Sequence, residues 1–229
     1  LTPTQLRSVN LFSTTRLGNV RMSRNYLMVN QRPVGFSARS PLADVDRSSF
    51  SADPGVSIVE LSSLGFLILR TWASQKSVIE AKLGCELPVE PLSSIVAGDL
   101  CVRWLSPTEW LITLPEEETA TMEDKLRSGL GDEVAVVDNS GGYACIHLMG
   151  PMSELVIRKS TSYDVHPSNF PRGKVVGTSF AQSQAILRRL CDTKFEMIFR
   201  RSFADYIWRW LVDAAGEYGL ELKENSTYV

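Results

Sequence analysis

The sequence contains only two histidines, His147 and His166, and four cysteines, Cys85, Cys101, Cys145 and Cys191, none of them in a CxxC pair. With no HExxH and no cysteine–histidine cluster, it offers no spacing that would hold a structural or catalytic metal. It also lacks a Walker sequence and a GxGxxG. Gly141-Gly142 follows Asp138 as a turn pair without the further glycine of a dinucleotide fingerprint. Ser140-Gly141 is not a nucleophile elbow, because a second strand and not a helix follows it. No apolar run approaches the roughly 20 residues that span a bilayer. A formal charge of −2 gives no global attraction to nucleic acid or an anionic membrane, so neither is expected as a partner. The cysteines are widely separated, and Cys101 and Cys145 fall in strand-like apolar runs. They read as reduced, buried thiols of a cytoplasmic protein, not as a disulfide framework.

Acidic residues are missing from the amino-terminal stretch, where none precedes Asp44 although Arg7, Arg16, Arg21, Arg24, Arg32 and Arg39 are all present. Residues 1–39 therefore read as a basic, flexible arm with too little patterned hydrophobicity for a core of its own. A transit peptide has the same composition, and an over-called start site or a basic tail lying on an acidic partner surface fits as well. The chain as a whole is ordinary for a globular protein of 229 residues, 44% hydrophobic and 22% charged, and can bury a core without staples.

The organising stretch is Val134–Ser153, VAVVDNSGGYACIHLMGPMS. A β-branched run ends at Asp138, and Asn139 to Gly142 supply turn chemistry. Tyr143 to Leu148 then alternates with the period of a half-buried strand, and Gly150-Pro151 leads into a helix to about Lys159. Upstream, Ser40-Pro41-Leu42 begins the ordered part. Val56–Leu61 and Gly65–Trp72 read as a strand pair, Ser74 caps a helix ending at Gly84, and Leu100–Leu105 pairs with Glu109–Leu114. Glu116, Glu117 and Glu118 open the next helix as a solvated first turn, because adjacent helix positions point apart and so cannot share a metal. Downstream, Asp164–Gly173 is an irregular loop, and strands come next at Gly173–Ala181, Ala185–Cys191 and Phe195–Arg200. Ser202 caps a helix over Phe203–Tyr218 with Tyr206, Ile207, Trp210, Leu211 and Ala214 inward, and a short strand spans Leu220–Leu222 before a polar tail, 223–229.

Gaps too short for parallel crossovers make this an α+β fold, with antiparallel sheets and helices packed on them. The halves 56–130 and 133–218 each read strand–strand–helix, the pattern of a duplicated core. His147, in an apolar strand, reads as a packed histidine, and His166 as an exposed loop residue. Arg188-Arg189 and Arg200-Arg201 sit at strand ends, where Asp192 and Glu196 offer pairing across the sheet. Trp208, two positions from Trp210 and off its helical face, points to a partner interface.

Three segments together resemble the gamma subunit of heterotetrameric sarcosine oxidase. They are Ser106–Leu114 (SPTEWLITL), Val137–Pro151 (VDNSGGYACIHLMGP) and Phe199–Gly219 (FRRSFADYIWRWLVDAAGEYG), with Val165–Gly173 (VHPSNFPRG) and Arg39–Leu42 in support. The likeness covers about Arg39 to Gly219, inside a gamma-like domain of residues 40–222, and the basic stretch before it departs from the family's short amino terminus. The resemblance implies a fold similar to the folate-binding domain of the glycine-cleavage aminomethyltransferase, in a non-catalytic subunit. The complex would demethylate sarcosine oxidatively to glycine and pass the one-carbon unit to tetrahydrofolate. FAD, FMN, NAD and zinc would lie on partner subunits and no cofactor on this chain. Its partners would be the alpha-, beta- and delta-like subunits, chiefly the alpha-like one. No catalytic, cofactor or metal residue carries over. The contact candidates are Trp208, Arg201, His166 and Arg172. Related complexes acting on N-methylglutamate or dimethylglycine, or a free folate-binding aminomethyltransferase, are the alternatives.

Overall fold

The computed structural model describes residues 40–43, 53–130 and 133–226. The basic arm of residues 1–39 and the polar loop 44–52 lie outside them, so the reading of the arm is not addressed. Among the described residues, eleven strands and four α-helices run in the order β1 (Val56–Leu61), β2 (Leu64–Thr71), α1 (Lys76–Leu83), β3 (Ser94–Ala97), β4 (Leu100–Ser106), β5 (Glu109–Pro115), α2 (Glu116–Arg127), β6 (Val134–Asp138), β7 (Tyr143–Met149), α3 (Ser153–Ser160), β8 (Val175–Phe180), β9 (Ser183–Cys191), β10 (Lys194–Arg200), α4 (Ala204–Ala215) and β11 (Leu220–Ser226). Short 3-10 helices precede α1, β7 and α4, at Ala73–Gln75, Ser140–Gly142 and Arg201–Phe203.

The strands form two sheets, in the orders β11-β1-β7-β10-β9-β8 and β3-β4-β5-β2-β6. All pairings are antiparallel except β1 with β11. The fold is α+β, as the short connections predict. The sheets face each other across a layer built from Val59, Leu61, Phe66, Leu111, Cys145 and Ile198. On its other face, the six-stranded sheet packs against α3 and α4 through Val156, Ile157, Ile207, Trp208 and Leu211. The five-stranded sheet packs against α1 and α2 through Ile79, Leu83 and Leu126. Alternation along β10 shows the two-sided demand: Phe195, Met197 and Phe199 meet the helices while Ile198 meets the other sheet.

Two readings of the sequence are corrected here. Val56–Leu61 and Leu64–Thr71 are not a pair, since β1 belongs to one sheet and β2 to the other. Ser63, at φ +62°, redirects the chain between them, and β1 is buried on both faces as a central strand must be. The duplication is present with different limits. β2 to β6 runs β-α-β-β-β-α-β, and β7 to β11 repeats that sequence of elements. Each set lays its strands in the same order, except that β1 is inserted between β7 and β11 in the second sheet. The organising stretch is the junction of the repeats: β6 ends one sheet, Ser140–Gly142 turns, and β7 begins in the other. The last strand runs on to Ser226, beyond the expected Leu222, and β3 adds a strand that the sequence pattern does not announce.

Candidate functional site

Three strands bring charge into the space between the sheets. Arg103 projects from β4, while Arg188 and Glu196 project from β9 and β10 of the facing sheet. Arg103 is 0% exposed, Glu196 1% and Arg188 5%. Arg103 donates through Nε and Nη2 to Glu196 Oε1 at 2.9 and 2.6 Å, and through Nη1 to Thr113 Oγ1 at 2.8 Å. Arg188 donates through Nη2 to Glu196 Oε2 at 2.8 Å and through Nη1 to Cys101 Sγ at 3.0 Å. Burial by itself would raise the Glu196 pKa, but Arg103 and then Arg188 outweigh it and hold the carboxyl down to about 2. The group is sealed from solvent and spans both sheets, so its work is to clamp them in register.

His147 lies opposite Glu196 in the β7–β10 ladder and is 9% exposed. Burial, with repulsion from Lys194 next in size, lowers its pKa from 6.5 to about 4, so the ring is neutral; among the described residues its buried Nε2 meets no hydrogen-bond partner. Beside this clamp, burial pushes the Cys101 thiol up and Cys145 further up, which keeps both in the unreactive protonated form. Cys85 is half-buried and Cys191 exposed, and all four are free thiols. Among the described residues no group of three or more His, Cys, Asp or Glu side chains is placed to hold a metal ion.

Arg189 points the opposite way from Arg188 and ties down the loop before β8. Its Nη2 donates to Glu154 Oε2 at 2.9 Å and to the Val165 carbonyl, and its guanidinium lies 4.6 Å from the Phe195 ring centroid. On that loop His166 and Arg172 are exposed. The His166 backbone N–H donates to Asp164 Oδ1 at 3.0 Å, and its Nδ1 lies 2.8 Å from Ser168 Oγ, so the ring is fixed by local turn contacts.

Trp208 is a correction. It is 4% exposed and sits in the core beneath α4, so this chain does not present it to a partner. The helix begins at Ala204, after a 3-10 turn, and its buried stripe is Ala204, Ile207, Trp208, Leu211 and Ala215. Tyr206, Trp210 and Ala214, expected inward, flank that stripe as half-buried side chains. Arg201 is exposed and, with Arg200, Ser202, Gly141 and Gly142, lines an open cleft of about 550 Å³. His166 and Arg172 are not in that lining, so the four candidates do not converge on one site. Sequence reasoning missed Arg103 altogether. Its signal was a lone guanidinium inside LCVRWL, where an alternating apolar strand gives it no route to water.

The profile of the sarcosine oxidase, gamma subunit family matches residues 72–217. The chain is 36% identical over 127 residues to the sarcosine oxidase subunit gamma of Corynebacterium sp. (strain U-96), a match covering 54% of this chain and 61% of that protein. It is 31% identical over 145 residues to the subunit gamma of Arthrobacter sp, covering 62% and 70%. The first match therefore spans about three fifths of the relative's length. Among solved structures, it superposes on a chain of the heterotetrameric sarcosine oxidase from Corynebacterium sp. U-96 in complex with pyrrole 2-carboxylate. The TM-score is 0.72 and the identity 28%, over 79% of this chain and 96% of that one. It shares a fold with the glycine cleavage system aminomethyltransferase T from Bartonella henselae, at TM-score 0.53 and 12% identity over 75% of this chain and 48% of that one. On a match through most of its folded length, the chain belongs to the sarcosine oxidase gamma subunit family.

Proposed function

We propose that this chain is the non-catalytic gamma subunit of a heterotetrameric sarcosine oxidase complex. The observation that carries the reading is the superposition on 96% of one chain of such a heterotetramer. The chemistry of the interior supports it. Among the described residues, the buried charged groups with perturbed ionisation, Glu196 and Arg188, are consumed in the clamp between the sheets, where no substrate reaches them. In the proposed complex, sarcosine is demethylated oxidatively to glycine and its one-carbon unit goes to tetrahydrofolate. The flavins FAD and FMN, with NAD and zinc, reside on the alpha-, beta- and delta-like partners, of which the alpha-like one makes the main contact with this chain. The assembly is cytoplasmic. No helix among the described residues is long and apolar enough to cross a membrane.

The test is a comparison of substrates on the assembled complex. Faster turnover of sarcosine than of N-methylglutamate or dimethylglycine is expected. A complex that oxidises one of those in preference would transfer this chain to a related N-methyl amino acid enzyme. Tight tetrahydrofolate binding by this chain alone would point instead to a free aminomethyltransferase-like protein.

A further inference from the structure

We propose that β8, an edge of the six-stranded sheet, takes up an extended, uncharged segment of a partner subunit as an added strand. This rests on the subunit reading above and names a surface for it. The β8–β9 ladder is unbroken from Val175–Arg188 to Phe180–Ser183, so alternate residues of β8 turn their backbone groups away from β9. Val175 and, just past the strand, Ala181 are two of these, and both N–H groups are engaged. The Val175 N–H donates to the Leu92 carbonyl at 2.7 Å and the Ala181 N–H to the Ser160 carbonyl at 2.6 Å. Gly177 and Ser179, between them, are exposed, and their outward N–H and C=O groups meet no partner among the described residues. Two donors and two acceptors are thus left open on one stretch of edge.

The other sheet edges are blunted. β3 has only four residues, β11 carries Glu221 and Lys223 with a break in its ladder to β1, and on β6 the Val136 carbonyl accepts from Arg127 Nη2. β8, VVGTSF, has no charge, no proline and no bulge. Gly177 supplies an independent sign, since glycine weakens a strand interior. Its φ is not positive, its ladder has no bulge and a Cβ built on it meets nothing within 4 Å, so the chain's own fold does not ask for glycine there. What remains is close approach from outside, by a backbone or a large side chain. The cross-strand neighbour Ile186 is half-buried against the apolar layer, so a large apolar side chain laid over the bare Gly177 packs against it. Six residues of edge, about 20 Å, bury far less than the roughly 1,200 Å² of a free-standing interface. That favours an arm of a subunit held elsewhere too over a second copy of this chain.

The experiment is co-expression of the whole complex with altered forms of this chain, followed by dilution and measurement of how much of the chain stays bound. Gly177→Lys adds a charged edge residue where a Cβ meets open space, and Ser179→Pro removes an N–H that β9 does not use. Each should weaken retention at least about tenfold and leave denaturant unfolding of the full chain nearly unchanged, while Gly177→Ala has little effect on either. Hydrogen exchange on the unaltered chain reads the same edge without a mutation: the Gly177 and Ser179 amides should slow about a hundredfold or more on assembly. Retention unchanged by both substitutions, or amides that exchange as fast in the complex as in the full chain alone, overturns the added strand and leaves the subunit reading standing. Self-association of the full chain that Gly177→Lys abolishes overturns it in favour of a second copy. Failure of the unaltered chain to assemble overturns the subunit reading and the added strand with it.

Discussion

Glu196 accepts hydrogen bonds from two guanidinia in a space closed to solvent, and removing it leaves both of them buried without their carboxylate. Breaking a buried ion pair from one side is far costlier than replacing the whole group. Glu196→Gln should therefore destabilise the chain by about 3–5 kcal/mol in denaturant unfolding. Acid acts on the same region through His147. Its folded pKa, about 4, lies below the unfolded 6.5, so the unfolded state takes up the proton first. Stability is then full above pH 6.5 and is lost as the pH falls from 6.5 towards 4, by roughly 3 kcal/mol. Below that, Glu196 adds a second loss as the pH falls from 4.5 towards 2. Unfolding free energies measured from neutral pH down into that window should show the first slope in the native chain, and His147→Leu should flatten it. At this scale the sequence was partly legible. An apolar strand around His147 showed a packed histidine, but Arg103 and Glu196 lie 93 positions apart, and only the facing of two sheets brings them together.

The helix α4 shows how an element can be recognised and still be turned the wrong way. Its apolar pattern announced a helix, but the 3-10 turn at Arg201–Phe203 shifts where the helix starts and so which stripe is buried. Trp208→Ala should accordingly cost about 3–5 kcal/mol of stability, as removal of a large core aromatic does. A variant that unfolds like the native chain but fails to assemble would return Trp208 to the surface. Strand β2 offers a tighter case. A Cβ at Gly65 would lie 1.7 Å from Thr119 Oγ1, because α2 packs against the strand there. Gly65→Val should lower the unfolding midpoint sharply, and the double change with Thr119→Gly should recover part of the loss. Strands and helices were readable because period and turn residues are local. Strand partners were not: Ser62-Ser63 between two apolar runs resembles a hairpin turn, and only the full sheet shows that the chain crosses there to the other layer.

Across the whole fold, two copies of one β-α-β-β-β-α-β arrangement are locked together by three devices. Strand β1 precedes the first copy in sequence yet completes the sheet of the second. The apolar layer of Phe66, Leu111 and Ile198 fills the space between sheets, and the Arg103–Glu196–Arg188 clamp crosses it. The copies should therefore unfold in one cooperative transition, with tryptophan fluorescence and far-UV circular dichroism giving coincident curves. The repeat was visible in the sequence only as alternating strands and helices, because its limits depend on which sheet each strand joins. The family order of motifs was more legible than the topology, since SPTEWLITL, VDNSGGYACIHLMGP and FRRSFADYIWRW each keep their local character. The most direct measurement is to co-express this chain with its neighbouring genes and purify through this chain alone. The account predicts a yellow, flavin-containing assembly that oxidises sarcosine. A colourless, monodisperse chain without partners would contradict it.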